Sequence, residues 1–306
     1  MNTHAPPDAS FTCRRCEVAS LCYGWPMFQP DLLKDKRILV TGGGTGLGLS
    51  MGRRFLELGA ELVICGRREQ VLADAAAKLT VETGGRVEAH GCDVRDATAV
   101  EAMLEKIWAV RPLDALVNNA AGNFIARTEE LSPRAIDAVL NIVLHGSAYM
   151  TVGCGRRWLA AGHKATVLSI VTTYAWTGSG YVVPSAMAKA GVLALTRSLA
   201  VEWGGRGVRL NAIAPGPFPT PGAWERLVPR PDLARDFETT NPLGRVGEHG
   251  ELADLASFLL SDRSGYINGE VVTIDGGEWL QGAGQFNFLR ELTDADWQAL
   301  KPKKRS

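Results

Sequence analysis

Residues Arg37 to Thr41, RILVT, form a short β-branched run that ends directly in GGGTGLG and then in an apolar-periodic segment reaching Leu58. The order is strand, glycine turn, helix. The unit recurs. ELVIC (61 to 65) precedes a helix through Leu79, RVEAHGCDV (86 to 94) a helix to Trp108, and DALVNNA (114 to 120) a further helix. Ala165 to Ile170, Val208 to Ile213 and Val271 to Ile274 continue the alternation. Strands alternating with helices predict an α/β fold, a doubly wound parallel sheet of seven strands with helices on both faces, in one domain.

With 306 residues and 46% hydrophobic content, the chain can bury one large core. Acids and bases are equal at 33 each, so no overall field draws nucleic acid or a membrane surface. Cys65, Cys92 and Cys154 sit in apolar segments and read as reduced core residues, as in cytoplasmic proteins, with an organelle of a eukaryotic cell left open. The ending KRS differs from the peroxisomal SKL signal. Cys13 and Cys16 have CxxC spacing without a second pair or a His, so no metal site is expected. Residues 1–26 read as a disordered extension, 27–280 as the domain, and 281–306 as an extension with a short helix capped by Thr293 and a basic KPKKRS tail. The segments from Pro133 to Leu159 and from Val182 to Trp203 are unusually apolar. Asp137, Asn141 and His145 in the first mark it as a buried or interface helix rather than a membrane span, with His145 a satisfied packing residue.

Gly42, Thr45, Gly46, Leu47 and Gly48 stand where a Rossmann-like fold receives a dinucleotide. Glycines there permit a tight turn, close approach of the backbone to a pyrophosphate, and use of the helix amino-terminal dipole. At the end of strand two the chain offers Gly66, Arg67 and Arg68 instead of an acid. Two guanidiniums suit a 2′-phosphate and favour NADPH, although two solvated arginines at a helix start read the same way. Asp93 and Val94 end strand three, where a carboxylate can accept from an adenine amino group. Asn119, Ala120 and Gly122 end strand four, and Pro215, Gly216 and Pro217 end strand six. All fall at strand carboxyl ends, as one crevice requires. The Pro-rich connection over 216–247 is placed to be a substrate lid.

These ordered motifs, TGGGTGLG, the Asp-Val turn, NNAAG, a Lys on the helix after strand five, PGP and IDGG, resemble the short-chain dehydrogenase/reductase family over Lys36 to Trp279. One position departs from the family's plan. Four residues before Lys189, where a catalytic Tyr is expected, stands Ser185, and the nearest phenols are Tyr181 and Tyr174. NNAAGNF, TTYAWTGSGYVVPSAMAKAG and PGPFPTPGAWERL together resemble the 2,4-dienoyl-CoA reductases, in which the Tyr lies upstream. The resemblance implies Tyr174 as the acid-site phenol, Lys189 as the lysine on the cofactor ribose, Ser185 as an active-site hydroxyl and Asn123 as a second oxyanion donor. It further implies Arg95, Phe124, Ser132 and Arg226 on an acyl-CoA substrate, and a homotetramer. A trans-2-enoyl-CoA reductase and an inactive NADP-binding scaffold are the competing readings.

Overall fold

The computed structural model describes residues 28–220 and 238–300. Cys13, Cys16, Cys22, Trp224, Arg226, Leu227 and the basic tail lie outside the described residues.

Seven strands run parallel: β1 (Arg37–Thr41), β2 (Glu61–Gly66), β3 (Val87–Gly91), β4 (Ala115–Asn118), β5 (Ala165–Ile170), β6 (Val208–Pro215) and β7 (Val271–Ile274). Their order is β3-β2-β1-β4-β5-β6-β7. The chain therefore winds outward from β1 in one direction and from β4 in the other. Connections leave opposite faces at the β1/β4 boundary, and the crevice between them opens at the carboxyl ends.

Strand period decides what each face holds. Ile38, Val40, Leu62 and Ile64 point to one side. There they meet Met51 and Phe55 of α1 (Gly46–Glu57), Leu72 and Leu79 of α2 (Glu69–Thr83), and residues of a later helix, Leu252 and Ala256. Leu39, Val63 and Leu116 point to the other side. They meet Leu104 and Ile107 of α3 (Ala97–Val110) together with Trp158, Leu199 and Trp203. A sheet covered on both faces explains why its central strands are nearly continuous apolar runs.

The apolar stretch from Pro133 is one helical rod in three parts: α4 (Pro133–Leu140), a π-helical turn (Asn141–His145) and α5 (Gly146–Ala161). By length and composition, Pro133–Ala161 would span a membrane, with a mean hydropathy of 1.3. Its Met150, Cys154 and Trp158 are instead buried against the sheet. His145 is satisfied by Asn141 at 2.8 Å and stacks on Tyr149, but it is exposed rather than packed in the core. The π turn carries its ring out to solvent. After β5 come a single turn, α6 (Tyr174–Thr177), and the long α7 (Val183–Gly204). The remaining helices are α8 (His249–Leu260), α9 (Glu278–Ala283) and α10 (Asp294–Ala299). Thr293 caps α10, accepting from Asp296 N at 3.3 Å.

At the end of the sheet opposite the crevice, Arg37 is 2% exposed and tied into three elements. Its Nη1 donates to Ile107 O at 2.8 Å and to Arg111 O, and its Nη2 pairs with Glu88 at 2.5 Å. The guanidinium thus supplies a donor to Arg111 O, just past the end of α3, and adds one to Ile107 O, which also accepts from Arg111 N at 3.3 Å. Arg37→Met should lower unfolding free energy by about 3 kcal/mol, because it takes the donor from Arg111 O and the cation from Glu88, to which only His90 then remains bonded. Urea denaturation checks this, and a loss below about 1 kcal/mol would contradict it.

Candidate active site

A groove of about 1000 Å³ runs along the carboxyl ends of β2, β1 and β4. Its floor is the β1–α1 turn. Gly42 and Gly46 have φ of 66° and 55°, a left-handed geometry that side chains rarely adopt. Gly48 is needed for closeness, since a Cβ there would lie 2.5 Å from Gly42 O and 2.6 Å from Asn119 Nδ2. Thr45, the N-cap of α1, makes no side-chain cap bond. The first N–H groups of α1 are therefore available to an anion in the groove. Thr41 Oγ1 accepts from Asn119 N at 3.0 Å and Ala120 N at 2.9 Å, and Asn119 Nδ2 donates to Thr41 O at 2.9 Å. These bonds fix the β4 end against the glycine turn.

Arg67 and Arg68 border the groove at the end of β2 and are exposed. Among the described residues neither side chain makes a hydrogen bond or a salt bridge. Asp93 and Val94 also border it. Asp93 is committed: its carboxylate accepts from Arg95 Nε at 2.9 Å and Nη2 at 2.5 Å. Bonding to Arg95 holds the carboxyl below the ordinary range, with Arg67 adding to the effect. The structure therefore ties Arg95 to Asp93 at the end of β3, while Arg67 and Asp93 are the residues that border the groove. An uncapped helix start and a glycine floor fit the phosphates of a dinucleotide.

On the β4–β5 side, three side chains converge. Tyr174 begins α6, and its hydroxyl lies 3.1 Å from Ser185 Oγ and 3.5 Å from Asn123 Nδ2. Phe124 N donates to Asn123 Oδ1 at 2.9 Å, which turns the amide NH₂ toward the phenol. Ser185 is 2% exposed. Tyr181 lies apart, 65% exposed and with φ of 64°. Lys189 lies one helical turn beyond Ser185, borders the groove and donates to Ile170 O. Burial pushes its ammonium down to about 8.

Other expected positions hold structural bonds. Ser132 caps α4, accepting from Ala135 N at 3.2 Å. Phe124 packs beside the cluster of Val139, Val143 and Val192. Gly122 faces Ile142 of the π turn, which also borders the groove. Gly216 N donates to Ile274 O at 2.9 Å, and a Cβ there would lie 2.7 Å from Asp275 Cβ. Pro215 ends β6, and Pro217 O accepts from Gly247 N at 2.9 Å.

The sequence reading missed several groups at the rim. Phe218, Thr220, Ser50 and His249 border the groove. Trp176, on the same turn as Tyr174, meets Trp279 of α9 edge-on at 6.0 Å. Asp275 caps α9, accepting from Gly277 N at 2.9 Å and Trp279 N at 3.0 Å. Only the IDGG motif hinted at this last arrangement.

Comparison with known proteins agrees with this fold. The family model described as enoyl-(acyl carrier protein) reductase matches residues 42–278. The chain belongs to the short-chain dehydrogenase/reductase family. A probable 2,4-dienoyl-CoA reductase of Bacillus subtilis, named as (2E)-enoyl-CoA-producing, is 43% identical, covering 81% of this chain and 98% of its own. A probable 2,4-dienoyl-CoA reductase of Caenorhabditis elegans, named as (3E)-enoyl-CoA-producing, is 40% identical, covering 89% and 90%. The crystal structure of a short-chain dehydrogenase from Bacillus anthracis aligns with a TM-score of 0.73 at 40% identity, covering 81% and 98%. As a member of this family, the chain is an oxidoreductase whose groove fits a nicotinamide dinucleotide, and the uncapped start of α1 is where its diphosphate would lie.

Proposed function

We propose that this protein is an NADPH-dependent 2,4-dienoyl-CoA reductase yielding a 3-enoyl-CoA, as in the oxidation of unsaturated fatty acids. The observation that carries the reading is the bonded trio of Asn123, Tyr174 and Ser185, with the phenol brought in from the loop after β5. In simple carbonyl reduction, the carbon that gains hydride bears the oxygen that gains charge, and a phenol four residues before the lysine serves that need. In a conjugated dienoyl thioester, reduction at the δ-carbon places the charge on the thioester oxygen, several bonds away. The donors must then stand away from the reduced carbon, and Tyr174 and Asn123 supply them from two different loops.

NADPH, when bound, supplies the hydride. Tyr174 donates its phenolic proton toward the thioester oxygen, while Asn123 offers its amide protons to the same charge. Ser185 holds the phenol in place from its buried side. Lys189 presents its ammonium to the cofactor ribose and favours negative charge nearby. A proton from solvent is taken up at the α-carbon as the thioester oxygen returns its proton to Tyr174, which leaves the remaining double bond at C3. Of the four acyl-CoA contacts that the resemblance implies, Phe124 follows Asn123 directly, Arg95 is taken up by Asp93, Ser132 caps α4, and Arg226 lies outside the described residues. The exposed Tyr149 on α5, and Met187 and Val201 on α7, support self-association to a tetramer.

The names of the two reductases divide on the product, so the decisive experiment follows both substrate and product. Purified protein is given NADPH with a 2,4-dienoyl-CoA or a trans-2-enoyl-CoA, and the product double bond is located by NMR. Turnover of the dienoyl thioester with the double bond at C3 is expected. Turnover of the 2-enoyl thioester alone would replace this reading with an enoyl reductase, and turnover of neither would favour a binding-only protein. A companion prediction concerns the cofactor. The double variant Arg67→Ala/Arg68→Ala should weaken NADPH binding about 10- to 100-fold and leave NADH within about 3-fold, since the loss of one charge-assisted bond to the 2′-phosphate costs about 1.5–3 kcal/mol. Fluorescence titration with both cofactors checks it, and equal losses for both would remove the 2′-phosphate assignment.

A further inference from the structure

His249 stands at the first residue of α8, on the rim of the groove, and both of its ring nitrogens are engaged. Nδ1 lies 2.8 Å from Ser50 Oγ on α1, and Nε2 lies 2.8 Å from Pro219 O in the loop after β6. A carbonyl only accepts, so Nε2 carries a proton. Ser50 Oγ in turn lies 3.2 Å from Gly46 O, in the first turn of α1. The imidazole therefore joins the loop that carries Thr220 to the helix start that faces the groove. Its own base is fixed because α8 packs on α1, with Arg54 Nε paired to Asp254 at 2.7 Å. The consequence is visible at Thr220. Its methyl lies 3.2 Å from the point a Cβ on Gly46 would occupy, so the loop is seated directly on the phosphate-facing turn.

We propose that His249 is a positioning residue for cofactor binding: by bonding Ser50 and Pro219 together, it holds the loop carrying Thr220 against the glycine turn and so sets how tightly the groove retains NADPH. The inference rests on reading the groove as an NADPH site. It adds to that reading a determinant outside the glycine turn and outside the Asn123–Tyr174–Ser185 trio. Without the ring, the bonds to Ser50 and Pro219 are lost, and only the packing of Thr220 on Gly46 holds the loop at this point.

The test measures NADPH dissociation constants by fluorescence titration without substrate, alongside thermal unfolding, for the wild type, His249→Ala, His249→Asn and His249→Gln. A Gln amide nitrogen falls near Nε2 and keeps the Pro219 bond, whereas Asn reaches only toward Ser50. His249→Ala and His249→Asn should weaken NADPH about 10-fold, the loss of one to two neutral hydrogen bonds. His249→Gln should stay within about 3-fold of the wild type, and kcat at saturating NADPH should change by less than about 2-fold in all three. If His249→Ala does not fold, Ser50→Ala removes one bond without touching the ring and should weaken NADPH about 3-fold. Unchanged NADPH binding in His249→Ala, or in Ser50→Ala where that variant stands in, overturns the proposal. Equal losses in the Asn and Gln variants overturn it as well, since they would show that the Pro219 bond is not the operative one. A wild type that binds neither NADPH nor NADH would instead remove the cofactor reading beneath it.

Discussion

Tyr174→Phe is expected to lower kcat on a 2,4-dienoyl-CoA by about 100- to 1000-fold, the usual loss when one oxyanion donor is removed. The ring remains and only the hydroxyl goes, so α6 keeps its place. Two partners are left behind. Ser185 Oγ, 2% exposed, loses the group 3.1 Å away, and Asn123 Nδ2 loses a longer contact at 3.5 Å. A buried hydroxyl deprived of its partner costs about 1–3 kcal/mol, so a modest fall in melting temperature accompanies the loss of turnover. NADPH affinity should not move, because Tyr174 does not border the groove that holds Gly46, Arg67 and Arg68. Steady-state kinetics and cofactor titration on the same preparation separate these effects. Full retention of turnover would show that the phenol is not the acid. A parallel loss of NADPH binding would show that the substitution disturbed the groove rather than the chemistry.

The sheet was legible in the sequence because each strand is short, β-branched and bounded by glycine, proline or a polar turn. Residues 37–41, 165–170 and 271–274 fall where the residue pattern puts them, and the other four strands differ only at their ends. The glycine turn was legible for the same reason, since positive φ at Gly42 and Gly46 leaves few alternatives. What escaped were contacts between residues far apart in the chain. Ser50 and His249 are separated by 199 positions, and nothing in either neighbourhood calls for the other. Trp176 and Trp279 are equally silent until α9 packs against the turn bearing Tyr174. The π turn at Asn141–His145 was hidden because one extra residue in an apolar helix changes no composition. Its effect appears only in space, where Leu144 fills the volume beside Gly191 so closely that a Cβ there would lie 2.6 Å away. Asp93 shows a different limit. The sequence places a carboxylate at the end of β3, but only geometry shows Arg95, two residues on, folding back to occupy it.

Lys189→Met should reduce kcat by about 100-fold or more, and should also change how stability depends on pH. Lys189 is 7% exposed, and burial pushes its ammonium down to about 8 from an unfolded value near 10.5. Between those two values the unfolded chain binds the proton and the folded chain does not, so wild-type stability gains from this residue as pH rises. Below pH 8 both states are protonated, and the full cost of the buried cation is carried. By pH 9.5 wild type should have gained about 2 kcal/mol from this group relative to pH 7. The variant has no such proton and should lack that increment, whatever offset it carries from leaving Ile170 O without its donor. Urea denaturation of both proteins at pH 7 and pH 9.5 isolates the increment, because the offset cancels in the difference. The same titration bears on turnover. If the cation is what favours charge on the substrate side, wild-type kcat/KM should fall as pH rises through about 8, and Lys189→Met should show only its low residual rate with no such limb. A stability difference that stays constant across this range would mean that Lys189 keeps its proton in the folded protein well above pH 9. A flat wild-type rate profile would then follow from the same cause, and the buried ammonium would be acting as a fixed charge at every pH the enzyme meets.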